Sequence, residues 1–222
     1  RNLAHEIRNP LVSIQTLAGL LTSGRSTDNM SDAFKEAVLR DVKRISNIVE
    51  GVSVFSENRT GPMHPIQIGN VLRESVQICA SKMKEQSIEL KLTGNLDQTT
   101  LGNFDQLVQV FNNLLENAIQ ALEIVEYKKI SIEVSEIRFR SPDSWIEIKV
   151  SDTGPGVTDG IRERIFDPFM TSKDTGEHLE RRGMGLGLAI TKGIIENHKG
   201  AISANNLKNG GAVFIVSLKS SI

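Results

Sequence analysis

A helical hairpin followed by an α/β sandwich is the fold this sequence predicts, and three observations predict it. Apolar residues recur at helical spacing over two stretches near the start of the chain, separated by a short polar segment. A turn-rich stretch comes next. Beyond it, short period-two strands and helices are interleaved without strict alternation, the pattern of helices laid on one face of a mixed sheet.

The first stripe is Leu3, Ile7, Leu11, Ile14, Leu17 or Ala18, and Leu21, with Pro10 predicting a kink inside it. The polar segment from Thr22 to Ser31 contains Gly24 and reads as the turn. The second stripe follows the candidate caps Asp28 and Ser31. It runs Phe34, Val38, Asp41 or Val42, Ile45, Ile48 or Val49, Val52 and Phe55. Such a hairpin cannot cover its own apolar stripe. Pairing with a second copy into a four-helix bundle covers it, as does packing against the rest of its own chain; the homodimer is the expectation. Ser56 to Pro65 has the turn residues of a linker, which places the domains at 1–60 and 61–222.

In the second part, helices are expected over Ile68 to Gln86, Phe104 to about Ile124, and Leu186 to Asn197. Strands are expected at Ile88 to Leu92, Ile130 to Val134, Trp145 to Val150, Ala201 to Ala204 and Gly211 to Leu218.

Composition bounds the function. The 222 residues are 39% hydrophobic and carry a net charge of −1, so no overall field recruits nucleic acid or anionic lipid. No apolar run approaches the roughly 18 residues of a membrane span, so a cytoplasmic location is expected. Cys79, the only cysteine, rules out an internal disulfide and reads as core filling. Residue 1 is Arg, and the helical pattern is already running at Leu3, which suggests a piece of a longer chain.

Four places carry chemistry. His5 is rotated about 200° from Leu3 and so faces away from the apolar stripe. An exposed histidine is often only a solvated side chain, yet a neutral imidazole is also a nucleophile near neutral pH. Glu6 follows it and can accept the Nδ1 proton, leaving Nε2 to attack; Asn9 lies one turn on, on the same face. Asn113 and Asn117 share one face of the predicted helix at 104–124, where two carboxamide oxygens can hold hydrated Mg²⁺ against a polyphosphate. Satisfied interfacial amides would give the same spacing.

Asp152 stands just past the strand predicted to end at Val150 and opens Asp152-Thr-Gly-Pro-Gly156, a turn able to close tightly on a flat ligand from whose exocyclic amine the carboxylate can accept. A plain β-turn has the same outline. Gly183-Met-Gly-Leu-Gly187 opens a helix, where N–H groups and the positive dipole end meet phosphate. Between them lie Phe166-Asp-Pro-Phe169 and a polar stretch through Arg182, the make-up of a mobile lid hinged on Phe166 and Phe169, or of two core phenylalanines.

In this order the stretches resemble the H, N, G1, F and G2 boxes of sensor histidine kinases: Ala4-His-Glu-Ile-Arg-Asn-Pro-Leu11, Asn113 to Ala118, Asp152 to Gly156, Phe166 to Phe169, and Gly183 to Leu188. The resemblance spans nearly the whole chain. It implies a dimerisation hairpin followed by an ATP-binding domain of the gyrase, Hsp90, histidine kinase and MutL type.

It also implies roles. His5 would be the phosphoacceptor, Glu6 its acid/base partner, and Asn9 the residue that positions water for dephosphorylating a response regulator receiver domain. Asn113 and Asn117 would hold Mg²⁺, and Asp152 would read the adenine amine of ATP beside Gly154 and Gly156. Gly183, Gly185, Gly187 and Leu188 would line the phosphates, with Lys173 as a lid cation. Many membrane-bound members have a basic residue where this chain has Gln120, which leans toward the nitrogen-regulatory type. Set against the family pattern, the H-box helix is expected to lack its N-terminal half in this sequence. Gyrase-like ATPases carry a glutamate where Asn113 stands, which argues against that rival; intact boxes argue against a non-catalytic docking module.

Overall fold

The computed structural model describes residues 62–138, 144–168, 170 and 185–221, with residues 11–12, 15–16, 38–39 and 42 nearer the start. The chain forms two compact units, Arg1–Ser56 and Glu57–Ile222. In the first, the described residues are helical, and Thr16 Oγ1 donates to the Val12 carbonyl at 2.8 Å, a bond within one helical turn. Leu11 and Val42, members of the two predicted stripes, are exposed.

The second unit begins with β1 (His64–Gln67) and α1 (Ile68–Glu85). Then come β2 (Glu89–Gly94), β3 (Thr99–Gly102), α2 (Phe104–Ala121) with a 3₁₀ turn at Leu122–Ile124, and β4 (Lys129–Arg138). It closes with β5 (Ser144–Asp152), the single turn α3 (Asp159–Arg162), α4 (Gly187–Asn197), β6 (Ala201–Asn206) and β7 (Ala212–Lys219). Five strands form a sheet in the order β2-β4-β5-β7-β6, parallel between β2 and β4 and antiparallel elsewhere.

Strand β5 shows why helices cover one face. Ile146, Ile148, Val150 and Asp152 are buried, while the intervening Trp145, Glu147, Lys149 and Ser151 are only half-buried. Leu107, Phe111, Leu114 and Leu115 of α2 are fully buried and recur at helical spacing. α2 packs against α1 on one side and α4 on the other, so the N-box helix lies at the centre of the helical layer.

Local chemistry sets the helix ends. Asn103 caps α2, its side chain accepting from the Gln106 N–H. Helices α1 and α4 end alike: Ser87 and Lys199 take left-handed φ of 55° and 54°. Ile88 and Gly200 then donate back to the Met83 and Ile195 carbonyls at 2.9 Å, the bond of a Schellman close. Ser75 hides its hydroxyl between α1 and α2 by donating to Val71 O at 2.9 Å, with Val108 O at 3.3 Å. Cys79 is buried beside it, as its core-filling role requires. Burial, then Glu116, pushes its thiol up, with Lys82 opposing.

Two strands depart from expectation. The predicted linker runs through Pro65, but His64 and Pro65 already belong to β1, which pairs antiparallel with β3. Both strands are four residues long, and their partners lie some thirty residues away, so neither shows local alternation. The pair is tied to the main sheet by a Thr100–Ser220 bridge and by Thr100 Oγ1 donating to Lys219 O at 2.8 Å.

His198 joins the far ends of α2 and α4. Its Nε2 accepts from the Asn103 N–H at 3.0 Å, and its Nδ1 lies 2.7 Å from Ile194 O. Those partners require the neutral ring with its proton on Nδ1. Burial holds the imidazole below its ordinary value, the Ile194 bond opposing. The unfolded chain therefore binds the proton first as pH falls. The stability this site contributes is present above about 6.5 and is lost below it. Wild type should lose stability between pH 7.5 and 5.5 in urea melts, and His198→Asn should be less stable at pH 7.5 with a flatter profile. Parallel profiles would refute the assignment.

Candidate nucleotide site

Asp152 is the last residue of β5 and only 5% exposed. Its Oδ1 accepts from the Gly154 N–H at 2.8 Å and from the Ala212 N–H at 3.3 Å. Burial pushes the carboxyl above its ordinary value, and these two N–H groups pull it back. A buried carboxylate held through one oxygen is oriented, with Oδ2 as the acceptor a ligand would meet.

At its two glycines, and at Gly211 packed against it, the turn after Asp152 leaves no room for a side chain. At Gly211, φ is +92°, and a Cβ there would fall 1.9 Å from the Asp152 carbonyl oxygen. Gly156 sits at φ +80°, with the corresponding position 2.9 Å from Asn206 Oδ1. Gly154 faces Ala121 at the end of α2, where a Cβ would meet the Ala121 Cβ at 3.0 Å. So the predicted G1 turn is wedged between the N-box helix and the β6–β7 hairpin. Thr153 fastens its back: Oγ1 donates to Tyr127 O at 2.7 Å and accepts from Lys129 N at 3.0 Å.

Asn113 meets the start of α4. Its Nδ2 donates to Gly187 O at 3.2 Å and to Thr191 Oγ1 at 3.4 Å. A carbonyl can only accept, so it is the amide nitrogen, not Oδ1, that bonds to α4. Asn117 is one turn further along α2 and half-buried. Oxygen donors on one helix face suit Mg²⁺, which keeps much of its water shell. Among the described residues no cluster of three His, Cys, Asp or Glu side chains competes for a metal.

Helix α4 opens at Gly187 with no side-chain cap and no acidic residue in its first turn. Gly187 and Leu188 are half-buried there, and Gly185 before them has φ +66°. Open N–H groups at a helix start of this length favour an anion. Phe166 packs its ring edge-on against Phe214 of β7, centroids 6.4 Å apart at 86°, which anchors that segment to the sheet.

The structure thus gathers Asp152, Gly154 and Gly156 at the end of β5, and Asn113 and Gly187 at the α2–α4 contact. His5, Glu6, Asn9, Phe169, Lys173 and Gly183 lie outside the described residues. Sequence reading missed Asn206, Ala212 and Thr191, which hold the site together from elements far along the chain. The Gly210-Gly211 pair was the one local signal of a tight approach there.

Comparison with known proteins agrees with this geometry. Residues 102–222 match the family of histidine kinase-, DNA gyrase B-, and HSP90-like ATPases, and residues 1–61 match the His Kinase A (phospho-acceptor) domain. The sensory histidine kinase/phosphatase NtrB of Rhodobacter capsulatus is 32% identical over 222 residues, covering 97% of this chain and 60% of its own. Sensor histidine kinase ZraS of Salmonella typhimurium is 30% identical over 215 residues, covering 96% and 43%. The chain therefore spans about half the length of these relatives.

Among solved structures, the catalytic domain of histidine kinase ThkA superposes with a TM-score of 0.60 at 28% identity, covering 72% of this chain and 98% of that one. ThkA in complex with response regulator protein TrrA gives 0.68 at 24% identity, over 98% of this chain and 60% of that one, a likeness of fold.

An ATPase domain whose sheet end carries a buried aspartate, set behind an N-box helix, defines the class: the chain belongs to the histidine kinase-, DNA gyrase B-, and HSP90-like ATPase family. With a phospho-acceptor domain in front of it, the chain is the catalytic core of a sensor histidine kinase. Among the described residues, no helix is long and apolar enough to cross a membrane.

Proposed function

We propose that this core binds ATP with Mg²⁺, phosphorylates its own His5, and passes the phosphoryl group to an aspartate of a response regulator receiver domain. The observation that carries the reading is Asp152, buried at a sheet end and oriented by two backbone N–H groups. Its Oδ2 accepts from the adenine amine, with Gly154 and Gly156 keeping the approach open. Asn113 and Asn117 offer amide oxygens to Mg²⁺, which neutralises charge on the phosphates when bound. Gly183, Gly185, Gly187 and Leu188 line the phosphates, beneath a lid hinged at Phe166 and Phe169 that brings Lys173 to the γ-phosphate.

In the reaction, His5 Nε2 forms the new bond to the γ-phosphorus as the bond to the β–γ bridging oxygen breaks, and ADP leaves. Glu6 takes the Nδ1 proton. Asn9 positions water for the reverse duty, dephosphorylating the regulator. The phospho-acceptor hairpin, over residues 1–60, pairs with a second copy, and exposed Leu11 and Val42 are stripe residues such pairing would cover.

The test is incubation of the chain with γ-labelled ATP. Label should appear on the chain only with Mg²⁺, as an acid-labile, base-stable phosphoramidate, and should move to a receiver domain. Absence of label from a nucleotide-bound chain would overturn the autokinase reading.

A further inference from the structure

Asn206, the last residue of β6, belongs to none of the boxes, yet it holds one of them. Its Oδ1 accepts from the Val157 N–H and its Nδ2 donates to the Val157 carbonyl, each at 2.7 Å. The side-chain amide thus pairs with a backbone unit as a neighbouring strand would. Gly156 is matched to it: the site a Cβ would occupy there lies 2.9 Å from Asn206 Oδ1. Any side chain at 156 would displace the clamp.

The loop from Asp152 to Val157 is consequently fastened to the β6–β7 hairpin at both ends. At the near end Ala212 donates to Asp152 Oδ1 and Gly211 lies against the Asp152 carbonyl. At the far end stands Asn206. Between them, Gly154 supplies the second N–H on Oδ1. A loop containing two glycines has much freedom to lose, so a ligand meeting it unfastened would bear that ordering cost on binding.

We propose that Asn206 is a positioning residue for base recognition, holding the loop in the one arrangement in which Asp152 is presented to the base. This rests on Asp152 reading the adenine amine. Asn206 is exposed, and hydrogen bonds made at an exposed position contribute little to the stability of the domain. Removing them should therefore alter selectivity without unfolding the protein.

The experiment measures binding of ADP and of inosine diphosphate, which has oxygen in place of the amine, to the whole 222-residue chain. Wild type should prefer ADP. Asn206→Ala should weaken ADP binding about tenfold, shrink the preference by a similar factor, and leave the nucleotide-free melting temperature within a few degrees. Asn206→Asp keeps the acceptor for Val157 N but sets a carboxylate against Val157 O, and should fall between the two; it decides the matter if the alanine variant fails to fold. Unchanged ADP binding, or equal weakening of both nucleotides, would overturn the proposal. Asp152→Asn separates the premise: if it erases the preference while the Asn206 variants keep it, only the clamp is wrong. If Asp152→Asn itself keeps the preference, base reading by Asp152 falls and the proposal with it.

Discussion

Asp152→Asn should cost the chain about 10- to 100-fold in ADP affinity, the worth of one hydrogen bond to a charged group, while leaving the domain at least as stable as before. An asparagine Oδ1 can still accept from Gly154 and Ala212, the two bonds that orient the native side chain. What changes is the second atom, which becomes an NH₂ facing the amine it should accept from. The stability half follows from burial. The native carboxyl is held above its ordinary value, so between that value and the folded one the native state binds more protons than the unfolded chain. Stability therefore falls as pH rises through this window, and at neutral pH the whole cost of burying the charge is present. Asparagine never bears it. Calorimetric titration with ADP and urea melts from pH 4 to 7.5 measure both halves. Full affinity in the variant would remove Asp152 from the site, and a collapsed fold would show that its charge is structural.

The second large effect is at His5. His5→Gln should abolish labelling by γ-labelled ATP, a loss limited only by the detection floor, and leave ATP binding as in wild type. Glutamine keeps a polar side chain at this position but offers an amide nitrogen whose lone pair is delocalised into the carbonyl, so it cannot displace ADP. The proposed nucleotide groups, from Asn113 to Leu188, belong to the second unit, whereas His5 belongs to the first. Chemistry and binding should therefore separate cleanly. Labelling that persists would move the phosphoacceptor elsewhere; labelling and binding lost together would mean the substitution had damaged more than the nucleophile.

Much of the site could be read from local order because its chemistry needs residues close in sequence. Asn113 and Asn117 must share a helix face, and one turn of helix guarantees it. Asp152 must precede a tightly packed turn, and Gly154 and Gly156 follow within four residues. The long helices were legible for a similar reason: eight buried residues of α2 recur at helical spacing, and Asn103 announces its start. Strands β1 and β3 were not, since four-residue segments with a proline or adjoining turn residues in them pair only because the fold brings them together.

Local sequence thus dictated the helices and central strands of the second unit and the polar groups that stand along them, all properties of residues within a few positions of each other. Only tertiary structure decided how those groups are aimed. Asn113 commits its amide nitrogen rather than its oxygen to α4 because Gly187, far along the chain, offers it a carbonyl. Asp152 is oriented because Ala212 of β7 comes to lie beside it, and its loop is held because Asn206 ends β6 opposite Val157. Hydrogen bonds of that kind are short in space and long in sequence, and they exist only once the sheet has closed.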